Sequence, residues 1–126
     1  MNDLTERKRA ARKAAFARRK SAHALDLGAC AGLLSSVLAG YRGVSLAGYM
    51  PIRTEIDPRP AMAEAAGYGP VGVPVIAAEG HPLRFSKWYP EGALKEGPFG
   101  AKIPIDDDFF EPELVIVPLV AFDRNG

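Results

Sequence analysis

An α/β layered fold with a largely parallel sheet is what this sequence predicts, on three observations. Segments of strand character alternate with segments of helix character, the pattern of a sheet covered by helices. The strand-like segments are apolar with small residues at their centres, as strands covered on both faces are. The chain has 126 residues, 48% hydrophobic and 25% charged, which suits one domain with one core. Residues 1–126 are therefore taken as a single domain, with no internal repeat and no clear linker.

The first element is basic. Residues 7–20 carry eight of the sixteen Lys and Arg and no acid, while residues 21–126 carry eight basic and thirteen acidic residues. The stretch "LTERKRAARKAAFARRKSAHAL" predicts a helix, because Ala, Arg and Lys all favour one. Thr5 is its expected cap, with Asp3 and Glu6 near the positive end of the helix dipole. Leu4, Ala11, Ala15 and Phe16 form a thin apolar stripe. Lys8 and Arg12 are four apart and share a face, and Arg19 lies one heptad beyond Arg12 in the same line. A solvated helix, a nucleic-acid-binding arm, an organellar transit peptide and a grip on nucleotide phosphates all remain open on spacing alone. Against nucleic acid, no aromatic platform or base-reading motif accompanies the charge. Asp3 and Glu6 argue against a transit peptide, and the lack of a following apolar run excludes a secretory signal.

Leu25, Leu33, Leu34, Val37 and Leu38 predict a second helix over about 28–39, from Gly28 to Ala39. Residues 44–50 form the first expected strand, stopped by Pro51. Pro58 following Asp57 starts a helix, which turns Met62, Ala65 and Ala66 to the sheet and ends at Gly67 and Gly69-Pro70. A second strand is expected over 71–77, irregular or near an edge because Pro74 lies inside it. Residues 83–89 alternate as a third strand. "PEGALKEGPFGAKIPIDDDFFEPE" is expected to be mostly loop. Residues 114–120 are the most continuously apolar stretch, expected to form a central strand.

The lone cysteine, Cys30, permits no internal disulfide and is expected to be a small buried hydrophobe. His23 and His81 form no ligand-spaced cluster, so no metal-ligating residues are assigned. Asp106, Asp107 and Asp108 point in different directions and suit a solvated acidic turn. No apolar run approaches the ~20 residues of a membrane span, and these features together suit the cytoplasm. Glu55 follows the first strand, on the rim where α/β sheets bind ligands. It can serve there as an acceptor for an amine or pteridine-like N–H, or merely flank the helix that Asp57 caps.

Four stretches in order, "KRAARKAAFARRK", "YMPIRTEIDPRP", "LRFSKWYPEGALKEGPFG" and "DFFEPELVIVPLVAFDRNG", together resemble the 5-formyltetrahydrofolate cyclo-ligase (methenyltetrahydrofolate synthetase) family over nearly the whole chain. The resemblance implies a three-layer α/β/α fold with a mainly parallel sheet, similar to ribose-5-phosphate isomerases and CoA transferases. It implies that 5-formyltetrahydrofolate and ATP, with Mg2+, give 5,10-methenyltetrahydrofolate, ADP and phosphate. Lys8, its neighbour Arg9, and Arg12 would contact ATP. Met50 and Glu55 would contact the folate, with Tyr49 and Trp88 lining the same pocket. The family's Phe-Asp-x-x-Gly end leads into a Gly-rich phosphate loop that is not among these residues. The chain is therefore expected to be C-terminally incomplete, weak or inactive alone, and prone to self-association through the incomplete sheet. A non-catalytic folate-binding protein and a nucleic-acid-binding module are the alternatives, the second disfavoured.

Overall fold

The computed structural model describes residues 3–26, 29–98 and 100–125. The expected helix start at Gly28, Phe99 of the Gly-Pro-Phe-Gly turn, and Gly126 lie outside the described residues. The elements are α1 (Asp3–Ala24), α2 (Ala29–Leu38), a 3-10 turn (Ala39–Tyr41), β1 (Leu46–Ala47), α3 (Arg59–Ala66), β2 (Val71–Val75), β3 (Arg84–Lys87), β4 (Leu94–Glu96), β5 (Lys102–Pro104), β6 (Phe109–Phe110) and β7 (Leu114–Val115). Helix α1 already includes Asp3, so Thr5 lies within its first turn rather than capping it, and Asp3 and Glu6 supply the acidic charge there.

The main sheet has five strands in the order β6-β3-β2-β1-β7. It is mixed rather than mainly parallel. Strand β1 runs parallel to β2 and to β7, but β3 is antiparallel to β2 and β6 is antiparallel to β3. The link from β2 to β3 is short and contains no helix. A parallel return needs a crossover of about a dozen residues or more, so the chain has to fold back antiparallel. The segment expected to be loop supplies β6 and a separate β4–β5 hairpin.

Two further expectations about position are corrected. Strand β2 lies in the middle of the sheet despite Pro74. The β1 ladder pairs Val71 and Gly72 only, so where Pro74 falls its missing N–H faces no β1 partner. Conversely, β7 is at the edge, with β1 as its one strand neighbour among the described residues. Its ladder continues only to the Ile116 N–H, which donates to the Ala47 carbonyl at 2.8 Å. Continuous apolarity identifies a segment as strand-like but carries no information on its neighbours.

One face of the sheet holds the core. Leu46, Val71 and Val73 pack there with Leu38 of α2 and Ala61 and Met62 of α3. Helices α2 and α3 pack on each other over this face. Gly48 lets α3 approach: a Cβ there would stand 2.5 Å from Met62 Sδ. Pro58 is fully buried beneath the start of α3. The N-cap is Pro58 and not the expected Asp57; the Asp57 carboxylate, one residue earlier, accepts the Arg59 N–H at 3.0 Å and its side chain at 2.8 and 2.9 Å. Those bonds from the Arg59 side chain keep the Asp57 carboxyl below its ordinary range, against the opposing effect of burial.

On the opposite face Phe110 lies over Gly72. Trp88 is 5% exposed and belongs to the helix-side core. Cys30, expected to be buried, is exposed on the first turn of α2. Asp106, Asp107 and Asp108 are exposed as expected.

Candidate functional site

Parallel strands end together, and side chains just beyond their carboxyl ends converge on one rim. Here β1, β2 and β7 share that rim. A cavity of about 280 Å³ opens there, with Tyr49, Met50, Glu55, Pro74, Phe85 and Ile103 among its lining. Its wall is largely apolar and Glu55 is its one ionisable carboxylate. Met50 is 7% exposed, so its thioether forms part of a packed wall.

The loop of residues 51–56 presents Glu55. Its backbone turns through Arg53, which has φ 55, a left-handed conformation that a residue with a Cβ adopts at a cost. Hydrogen bonds hold the turn: the Ile52 N–H donates to Glu55 Oε1 at 2.8 Å, and the Tyr49 hydroxyl donates to the Ile56 carbonyl at 2.7 Å. One Glu55 oxygen is therefore engaged in shaping its own loop. Burial raises the Tyr49 phenol above its ordinary range, and the negative charges of Glu55 and Asp57 raise it further, while the Arg19 cation acts in the opposite sense.

A second groove, of about 660 Å³, shares Tyr49 and Glu55 and runs along α1, where Arg18, Arg19 and His23 line it. Cys30 and Phe122 also border it. Arg19 reaches across: its Nε–H donates to Thr54 Oγ1 at 2.8 Å, and its guanidinium lies 4.8 Å from the Phe16 ring centroid.

The structure thus brings Tyr49, Met50 and Glu55 to one cavity. It does not bring Trp88 there, because that ring fills the core. Lys8, Arg9 and Arg12 are exposed on α1 and line neither cavity. Arg9 pairs with Glu6 at 3.4 Å. The sequence reading assigned no role to Arg18, Arg19, His23 or Thr54 at the site, nor to Phe85 and Ile103 in the wall. The one available signal was the Lys8–Arg12–Arg19 line along the helix. Phe85 and Ile103 arrive from separate strands, and no local spacing announces them.

Among the described residues, no group of three or more His, Cys, Asp or Glu is arranged to hold a metal ion. Magnesium in nucleotide sites is held by one or two carboxylates together with the nucleotide's own phosphates, so the lack of such a cluster does not bear on it. No helix of the described residues is long and apolar enough to cross a membrane.

No family model and no curated protein matches the chain. A solved structure does: the NMR structure of Aquifex aeolicus 5,10-methenyltetrahydrofolate synthetase, with a TM-score of 0.70 and 22% sequence identity. The match covers 89% of this chain and 60% of that one. At this identity the likeness is one of fold, and it is a likeness to the family that the four sequence stretches resemble.

Proposed function

We propose that the cavity at the rim of β1 binds the pteridine end of a reduced folate, and that the chain is of the cyclo-ligase type. The reaction would convert 5-formyltetrahydrofolate to 5,10-methenyltetrahydrofolate with ATP as phosphoryl donor. The observation that carries the reading is the meeting of Met50 and Glu55 on one apolar cavity, joined by a fold shared with a protein of that name. The size is consistent: about 280 Å³ is near the lower limit of small-molecule pockets, which span about 300–1,000 Å³. A ring system suits it, and the remainder of a folate would extend into the larger groove.

In this reading each residue has a limited task. Met50 packs against the ring, and the Glu55 carboxylate accepts a hydrogen bond from a ring N–H while its other oxygen holds the loop. ATP, when bound, supplies the phosphoryl group that turns the formyl oxygen into a leaving group. Lys8 and Arg12 offer cations for its phosphates on the exposed line of α1. In such chemistry a protein mainly positions groups and neutralises charge. The cavity carries the reading, so binding is the property to measure first.

The test is equilibrium binding of 5-formyltetrahydrofolate to wild type and to Glu55→Ala. A hydrogen bond to a charged group contributes about 1.5–3 kcal/mol, so the variant should bind at least about tenfold more weakly. Equal affinities would remove Glu55 from the site. An absorbance assay for methenyltetrahydrofolate with ATP and Mg2+ then separates the catalytic from the non-catalytic form of the proposal.

A further inference from the structure

We infer that Arg19 is a positioning residue: it ties the loop of residues 51–56 to helix α1 and so sets where the Glu55 carboxylate stands in the cavity. The inference rests on the folate reading only for the identity of the ligand.

The loop is held from outside itself. It contains Arg53 in a left-handed conformation, and the bonds from Ile52 to Glu55 and from Tyr49 to Ile56 both lie within residues 49–56. Such local bonds define the shape of the turn but do not tie it to another element. The bond from Arg19 Nε to Thr54 Oγ1, at 2.8 Å, reaches the loop from a residue 35 positions earlier. Thr54 directly precedes Glu55, so a shift of Thr54 carries the carboxylate with it.

Arg19 is itself oriented. Its guanidinium lies over the Phe16 ring, and Ala15, the buried residue of α1, anchors the same turn of the helix. An exposed arginine contact contributes little. This one is partly buried, and a donor with a formal charge and a fixed planar geometry makes a stronger, more directional bond. The same cation acts on the Tyr49 phenol against Glu55 and Asp57, which agrees with its place in the groove that shares Tyr49 and Glu55 with the cavity.

The experiment uses the full chain and the variants Arg19→Ala, Thr54→Val, Thr54→Ser and the Arg19→Ala/Thr54→Val double variant. Amide hydrogen exchange over residues 52–56 is measured beside 5-formyltetrahydrofolate affinity. Arg19→Ala and Thr54→Val should each raise exchange in the loop and weaken binding, both by about fivefold, and the double variant should be no worse than either, because one shared bond is lost. Thr54→Ser keeps the oxygen and should match wild type. The Leu46 and Gly48 amides, bonded to Pro70 and Gly72 carbonyls, should exchange as in wild type in every variant, which distinguishes release of the loop from general destabilisation. Unchanged loop exchange in Thr54→Val, or losses that add in the double variant, would overturn the inference. If wild type fails to bind the folate while loop exchange still rises in the variants, the folate reading fails and the tie stands. If wild type binds and Thr54→Val matches it in exchange and affinity, only the inference about Arg19 fails.

Discussion

Tyr49 shows how one residue registers the charges around the site. Burial holds its phenol above the ordinary value of 10.0, with Glu55 and Asp57 adding to the effect and Arg19 opposing it. Removing the nearby negative charge with Glu55→Gln should lower the Tyr49 titration midpoint, whereas Arg19→Ala should raise it. Carbon NMR of the labelled tyrosine ring, followed through alkaline pH, reads this directly, and no change in either variant would mean that these charges do not act on the phenol. The sign for stability follows by linkage. A phenol raised on folding contributes stability that is fully present below the unfolded value, and that contribution is lost as pH rises through the folded value. The place of Glu55 was legible because it follows a strand within a few residues, whereas Tyr49 and Met50 were expected inside that strand and were assigned to the site by the resemblance alone. Arg19 and Thr54 were not, since their contact joins distant parts of the chain and neither residue type announces a partner.

Among the elements, β2 is the one on which the sheet depends. It lies between β1 and β3, and Gly72 is its tightest point. A Cβ there would collide with the Phe110 ring and stand 2.6 Å from the Ser86 carbonyl oxygen. The ring can move but the backbone of β3 cannot without loss of the ladder. Overpacking of this kind costs about 1–3 kcal/mol, so Gly72→Ala should lower stability by that order in denaturant unfolding, and an unchanged midpoint would show that β3 gives way freely. Helix α3 was legible in nearly its full length because Asp57, Pro58 and Gly67 mark its ends by local chemistry. The antiparallel return of β3 was also written in the chain, in the short helix-free link that precedes it. The pairs Phe85–Phe110 and Ser86–Phe109 that recruit β6 join segments with no local signal of each other.

At the scale of the whole molecule, the apolar end of the chain lies at a sheet edge. Val117, Leu119 and Phe122 are 64%, 62% and 83% exposed, and β7 has one strand neighbour among the described residues. An exposed strand edge beside apolar side chains favours pairing with another chain. Self-association is therefore proposed, and a Val117→Lys/Leu119→Lys variant should sediment as a smaller species than wild type at equal concentration. A wild type that sediments as a monomer at high concentration would sink the proposal. The sequence by itself determined the existence of most elements, the strand-end position of Glu55 and the basic, largely solvated α1, because each follows from local periodicity, capping or charge within a few residues. Only the tertiary structure decided that β6 joins the sheet, that β7 is an edge, that Trp88 fills the core and that Arg19 meets Thr54. These depend on which distant segments pair and pack, and that choice is made by the summed burial and hydrogen bonding of the folded chain rather than by any one stretch of it.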